Sequence, residues 1–259
     1  HYMIDEWNPD EEFNVMIFQK RVKEIMEDIY NRGKIPILVG GTGFYIQAVL
    51  NDIAFTKEKQ GDEIRADLQN LAKEKGASYL HHELQKVDKE SAEAIHPNNI
   101  KRVIRALEYF QSTGQKFSDH NKEERQKGSP YNFLYLVLTM NRKVLYERID
   151  KRVDQMMEEG LVKEVKQLLD AGYSRNLVSM QGLGYKEIAS ALFKECTMEE
   201  AVYRLKRDTR HFAKRQMTWF RRERDVTMIN KDNFSNNHDI VNYIMKLAVE
   251  KGICSCREG

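Results

Sequence analysis

The sequence predicts an α/β fold: a parallel-sheet core, a helical insertion domain, and a mostly helical C-terminal part. Three observations carry this. Ile35-Pro36-Ile37-Leu38-Val39 is a short apolar, β-branched run that ends in Gly40-Gly41-Thr42-Gly43 and then turns helical. From Asp52 to about Ser129 the texture is polar with helical spacing. Tyr131–Met140, rich in Tyr, Phe, Leu and Val, reads as a second buried strand. Short apolar runs bounded by glycines are buried strands of a covered sheet, and strands alternating with helices make α/β layers.

The elements follow in order. Asn8-Pro9-Asp10-Glu11-Glu12 has the make-up of a helix start, with a capping Asn, Pro in the first turn and acids near the positive end of the dipole. That helix is expected to run to about Arg32 and stop at Gly33. The strand Ile35–Val39 follows, then a helix from about Phe44 to Leu50. Helices are expected over Gly61–Lys75, Ser78–Val87 and Asn98–Ser112, and Gly128-Ser129-Pro130 closes the insertion. Beyond the second strand, helices are expected over Arg142–Glu158, Leu161–Ala171, Tyr185–Phe193, Met198–Arg222 and Asn237–Lys251. The domains are therefore expected at 1–51 with 130–259, and at 52–129.

Composition narrows the class. The 259 residues are 41% hydrophobic and 32% charged, with a net charge of only +2. The distribution is uneven. Residues 201–222 hold eight Lys and Arg, among them Arg204, Lys206, Arg207, Arg210, Lys214 and Arg215, against the single acid Asp208. Such a segment reads as a basic helix facing a polyanion, or as a solvated face docked on the rest of the protein. Three cysteines, Cys196, Cys254 and Cys256, lack the spacing of a disulfide framework or a zinc site and fit a reducing, cytoplasmic setting. No apolar run is long enough to span a membrane as a helix. HExxH, G-x-S-x-G and G-x-x-x-x-G-K-[ST] are all absent.

Four constellations carry chemistry. The turn Gly40–Gly43 before a helix can hold an anion on unpaired amides, with the Thr42 hydroxyl beside it, or it is a tight connection without a ligand. On Arg142–Glu158, Leu145, Ile149, Val153 and Met156 share one arc, and Arg152 falls at its edge. An inward arginine finds either a protein carboxylate or a ligand such as a diphosphate. On the helix after His96-Pro97-Asn98, Lys101, Arg102 and Arg105 form a cationic edge beside Ile100, Val103, Ile104 and Leu107, suited to a phosphate backbone or to Glu108 as a local partner. In Gln181-Gly182-Leu183-Gly184-Tyr185-Lys186, the glutamine can reach a base edge, the tyrosine can stack, and the lysine can meet a phosphate. Thr209–Arg221 interleaves Arg and Lys with Phe212, Trp219 and Phe220, a pattern that favours nucleic acid over a plain acidic protein partner, although some of these rings are expected in the core.

These segments together resemble one family. Ile37-Leu38-Val39-Gly40-Gly41-Thr42-Gly43-Phe44-Tyr45, His96-Pro97-Asn98 with Arg102 and Arg105-Ala106-Leu107-Glu108, Gly182-Leu183-Gly184-Tyr185-Lys186-Glu187, and Thr209-Arg210 with Ala213-Lys214-Arg215-Gln216 and Trp219-Phe220-Arg221 are similar, in this order, to the bacterial tRNA dimethylallyltransferases. The resemblance covers His1 to about Arg222. It implies a P-loop-kinase-like core and transfer of a dimethylallyl group from dimethylallyl diphosphate to N6 of the adenosine 3′-adjacent to the tRNA anticodon. It places Thr42 and Arg152 in the catalytic set, and Gly40, Gly41 and Arg152 on the diphosphate. It places Thr42, Arg65, Lys101, Arg102, Val103, Ile104, Arg105, Gln181, Gly182, Leu183, Gly184, Tyr185, Lys186, Arg210, Lys214 and Arg215 on the tRNA anticodon stem-loop.

The resemblance further implies Mg²⁺, held mainly by an upstream P-loop and the substrate diphosphate, with no metal ligand in this chain. A cytoplasmic monomer is expected. In the family the P-loop and a general-base Asp precede the segment matching His1–Asp5. The expectation is that these 259 residues alone are inactive or nearly so. A small-molecule kinase of the same core, or a non-catalytic RNA-binding module, are the alternatives.

Overall fold

The computed structural model describes residues 1–55 and 61–255. The chain forms two compact units, His1–Val49 with Tyr131–Gly259, and Leu50–Pro130.

In the first unit, α1 (Val15–Asn31) is capped by Asn14, whose Oδ1 accepts from the amides of Met16 and Ile17 at 2.9 and 3.1 Å. The helix therefore starts later than Asn8-Pro9 suggests. Asn8 closes only a local turn, its carbonyl accepting from the Glu11 amide, because no apolar stripe follows it until Val15. Gly33, at φ 67°, ends the helix where the sequence places the stop. Helix α2 (Gly43–Leu50) joins α1 through the buried Gln19, whose Nε2 donates to the Ala48 carbonyl at 2.7 Å.

Ile35–Val39 is not a strand, contrary to expectation. It pairs with no described segment, and Ile37 and Val39 are 83% and 88% exposed. Apolar β-branched residues favour a strand only where a neighbouring ladder takes their backbone groups. The described sheet is instead β1 (Tyr135–Thr139) with β2 (Val226–Asn230), parallel, in register from Tyr135 opposite Val226 to Thr139 opposite Asn230. Strand β1 lies inside the apolar run at 131–140; β2 was not expected.

Between the strands run α8 (Arg142–Glu158), α9 (Leu161–Asp170), α10 (Tyr185–Leu192) and α11 (Met198–Phe220), and α12 (Asn237–Glu250) follows β2. Val153, Leu161, Val165, Met180, Ile188, Ala201 and Leu205 form the common core of α8 to α11. Gly160 at φ 105° sits between α8 and α9, the left-handed position that lets one helix end and the next begin at once.

The second unit is helical: α3 (Gly61–Lys75), α4 (Ala77–Val87), α5 (Lys89–Ala94), α6 (Ile100–Thr113) and α7 (Phe117–Gln126). Its core joins Leu68, Leu80, Leu84, Val103, Ile104 and Leu107. Asp88 organises one end. It is 1% exposed, and its carboxylate accepts from Ser91 N, Ser91 Oγ and Ser118 N at 3.0, 2.6 and 2.8 Å, serving the starts of both α5 and α7.

Candidate functional site

The Gly-rich turn is shaped by α11. A Cβ on Gly41 would lie 2.1 Å from Gln216 Nε2, and a Cβ on Gly43 would lie 2.2 Å from the Trp219 ring. Neither glycine has positive φ, so both are required for space and not for backbone conformation. Gln216 Nε2 donates to the Gly41 carbonyl at 2.9 Å. Gly40 is exposed with open space around it. Thr42 is exposed, and its carbonyl accepts from the Tyr45 and Ile46 amides to start α2. The turn thus presents the Thr42 side chain at the surface, ahead of the helix N-terminus and against a ring whose Nε1 is buried without a hydrogen-bond partner.

Arg152 does not face inward. Its side chain is 59% exposed and its NH1 pairs with Oε2 of Glu159, the C-cap of the same helix, at 3.3 Å. Neighbouring helical residues point about 100° apart, so burying Val153 at 2% exposure swings Arg152 off the buried arc. The sheltered cations are on α11. Lys206 Nζ pairs with Asp154 Oδ1, and Arg210 NH1 with Asp150 Oδ1, each at 2.5 Å. Two acids and two cations, each four residues apart on facing helices, were a legible signal of this ladder. Arg210 and Asp150 also line an open cleft of about 590 Å³ with Asn141, Arg142, Lys143, Tyr146 and Glu147, just past the C-terminal end of β1. Asn141 caps α8 there, and its own amide donates to Asp232 Oδ2 at 2.6 Å beyond β2.

Beyond Arg210 the cations of α11 turn outward. Lys214 and Arg215 are exposed, with the Arg215 guanidinium over the Phe212 ring at 5.8 Å. Of the interleaved aromatics, Phe220 is core at 7% exposure, Trp219 packs on Gly43, and Phe212 stays 38% exposed.

The segment 181–186 divides. Leu183 packs on the helical core and Gly184 is buried at φ 102°, so these two build the turn. Glu187 Oε2 accepts from the Gly184 amide at 2.9 Å, while Lys186 Nζ lies 3.5 Å from Glu187 Oε1. Tyr185 donates its hydroxyl to Glu164 at 2.5 Å. That hydrogen bond, with partial burial, pushes the phenol up to about 12, so it stays a neutral donor at physiological pH. Gln181 is exposed but donates to the Arg175 carbonyl at 2.7 Å; Gly182 is half-buried.

In the second unit, Arg65 of α3 meets Lys101 and Arg105 of α6 in one groove of about 510 Å³. Arg102 is exposed on the same helix. Val103 and Ile104 are 0% and 5% exposed, and their side chains pack the core under the helix that carries the cations. Among the described residues no group of three or more His, Cys, Asp or Glu converges in the manner of a metal site. Cys196 and Cys254 are free thiols, and Cys256 lies outside the described residues. No described helix is long and apolar enough to cross a membrane.

A parallel α/β unit with a basic helix packed on a Gly-rich turn, and a separate helical unit with its own cationic groove, are the build of a protein that handles phosphate-bearing ligands. Its similarity to known proteins specifies which. The IPP transferase family model matches residues 1–223, and the chain belongs to that family. It is 55% identical over 253 residues to the tRNA dimethylallyltransferase of Lachnoclostridium phytofermentans, covering 98% of this chain and 81% of that one. The crystal structure of the full-length tRNA isopentenylpyrophosphate transferase from Bacillus halodurans is 41% identical with a TM-score of 0.68, covering 97% of this chain and 79% of that one. A eukaryotic dimethylallyltransferase captured acting on tRNA is 26% identical with a TM-score of 0.76, over 94% of this chain and 65% of that one.

Proposed function

We propose that this protein is a tRNA dimethylallyltransferase that moves a dimethylallyl group from dimethylallyl diphosphate to N6 of the adenosine 3′-adjacent to the anticodon. The correspondence to named tRNA dimethylallyltransferases along nearly the whole chain carries this reading. In the reaction the allylic C–O bond breaks, diphosphate leaves with the electron pair, N6 attacks the allylic carbon, and one N6 proton passes to a base. Such a reaction needs cations on the leaving group and a site that excludes water from the allyl cation. Arg142, Lys143 and Arg210, around the cleft past β1, supply cationic groups suited to an anionic leaving group. Thr42 offers a hydroxyl at the start of α2, and Lys214 and Arg215 offer exposed charge to RNA phosphates. Flipping the target adenosine from a loop costs less than flipping it from a duplex. Mg²⁺ is expected with the diphosphate, and among the described residues no cluster of His, Cys, Asp and Glu has the form of its site.

The test is transfer of labelled dimethylallyl from its diphosphate to unmodified tRNA with Mg²⁺, with RNA binding recorded in the same samples. It is run with these 259 residues alone and with a P-loop segment fused upstream. Label on the adenosine 3′ of the anticodon supports the reading; RNA binding without label in either form favours a plain RNA-binding module and overturns it. The double change Lys214→Ala with Arg215→Ala is expected to make the log–log salt dependence of tRNA affinity shallower by about 1.5.

A further inference from the structure

One helix holds both sides of Thr42. From α11, Gln216 Nε2 donates to the Gly41 carbonyl at 2.9 Å, while the Trp219 ring packs on Gly43 and meets the Phe44 ring edge-on at 6.4 Å. Positions three apart share a helix face, so neighbouring side chains of α11 grip the residues before and after Thr42. The gripping side chains are half-buried, whereas Lys214 and Arg215, on the same turn of α11, are exposed.

The Gln216 contact is the informative one. An apolar side chain of equal length would fill the space beside Gly41 as well, so what the amide adds is direction. None of the described peptide bonds is cis. In a trans peptide the C=O and the following N–H share a plane and point in opposite directions. Holding the Gly41 carbonyl toward α11 therefore aims the Thr42 N–H away from it. Among the described residues no backbone carbonyl accepts from that N–H, and Thr42 is exposed. Thr42 thus presents an N–H of set direction, which only donates, and a hydroxyl, which donates or accepts. Adenine has the matching edge: N1 accepts and the N6 amino group donates. Guanine carries a hydrogen on N1 and an acceptor at position 6, so it does not match. Residues 40–45 hold no charged side chain, and the Phe44 ring beside Thr42 is 40% exposed. An uncharged edge next to a ring suits a base better than a phosphate.

We propose that Gln216 is a positioning residue for recognition of the acceptor adenine. Acting through the Gly41–Thr42 peptide, it aims the Thr42 N–H at adenine N1 and leaves the Thr42 hydroxyl for N6. The proposal rests on the RNA reading above and adds to it how the base is told apart.

The test is fluorescence anisotropy of anticodon stem-loops on the full chain. At the position 3′ of the anticodon they carry adenine, 1-deazaadenine, in which C–H replaces N1, or no base. On the unaltered protein the 1-deaza change is expected to weaken binding about tenfold; on Gln216→Met, of similar length and without the donor, less than about threefold. Gln216→Met is expected to leave the base-less stem-loop and the salt dependence unchanged, because no phosphate contact is touched. The Lys214→Ala, Arg215→Ala pair does the reverse: it weakens all three stem-loops and keeps the tenfold preference. Gly41→Ala, which drives Gln216 Nε2 aside from the other partner, is expected to lose the preference as Gln216→Met does, and decides where Gln216→Met does not fold. An unaltered protein indifferent to N1 overturns the adenine readout. Gln216→Met weakening all three stem-loops alike makes Gln216 a packing residue and overturns the positioning role. A preference abolished by saturating inorganic pyrophosphate assigns the Thr42 pair to a phosphate and overturns the proposal as well. No binding of any stem-loop by the unaltered protein overturns the RNA reading itself, whereas binding blind to N1 removes only this inference.

Discussion

Gly43→Ala is expected to destabilise the first unit far more than Gly41→Ala, although the two glycines are two residues apart in one turn. At Gly43 the new Cβ would meet Trp219 Cδ1 and Nε1 at 2.2 Å and Cγ at 2.9 Å. A ring packed on the turn has no short way out. Overpacking of this kind costs about 1–3 kcal/mol or more, against a gain of at most about 1 kcal/mol from replacing glycine in a helix. At Gly41 the obstacle is the amide end of Gln216, which can swing aside and forfeits one hydrogen bond to the Gly41 carbonyl, about 0.5–1.5 kcal/mol. Urea midpoints of the two variants, with tryptophan fluorescence reporting the ring, decide the matter. Equal midpoints, or a Trp219 signal unmoved in Gly43→Ala, count against the close packing described for this turn.

Asp88→Ala is expected to cost the second unit about 3 kcal/mol, because it removes a helix cap and strands the buried amides of Ser91 and Ser118. Asp88→Asn keeps one acceptor and should fall between. The effect carries a pH signature. Burial pushes the carboxyl up, but hydrogen bonds from Ser91 and Ser118 outweigh it and hold the group below its ordinary value. A carboxyl with a depressed folded value contributes stability above its unfolded value, about 3.9, and loses that contribution as pH falls through the folded value. The gap between the unaltered protein and Asp88→Ala should therefore be full at pH 7 and narrower at pH 3. Urea unfolding at both pH values, with amide exchange at Ser91 and Ser118, reads it directly; a gap that widens at pH 3 contradicts the assignment.

What was legible in the sequence follows from which forces are local. The helices from Arg142 onward begin and end close to where apolar spacing and glycines place them, since capping and amphipathic burial act over a few residues. The misplaced start of α1 came from two asparagines with similar credentials; only Asn14 precedes the apolar stripe. Ile35–Val39 and β2 failed in opposite ways for one reason, that strand formation depends on a partner far away in sequence. The cations were legible as residues but not as arrangements. Periodicity alone put Arg152 on the edge of an arc, and a shift of one position separates an inward guanidinium from an exposed one. Glu108 was visible only as a local partner for Arg105; its clasp on Arg65 crosses forty-three residues and two helices.

The β1–β2 pair has a consequence for biosynthesis. Tyr135 meets Val226 and Thr139 meets Asn230, so each paired residue waits for a partner about ninety positions later. At ordinary ribosomal rates β1 stays without its ladder for about 5–20 s after it is made, while α8 to α11 are completed ahead of β2. During that interval the backbone groups of Leu136 to Leu138 form an open edge that can accept a foreign strand. A nascent chain whose β1 has left the ribosome before β2 is made exposes that edge, which makes this stretch of translation the step at which a holding chaperone matters most.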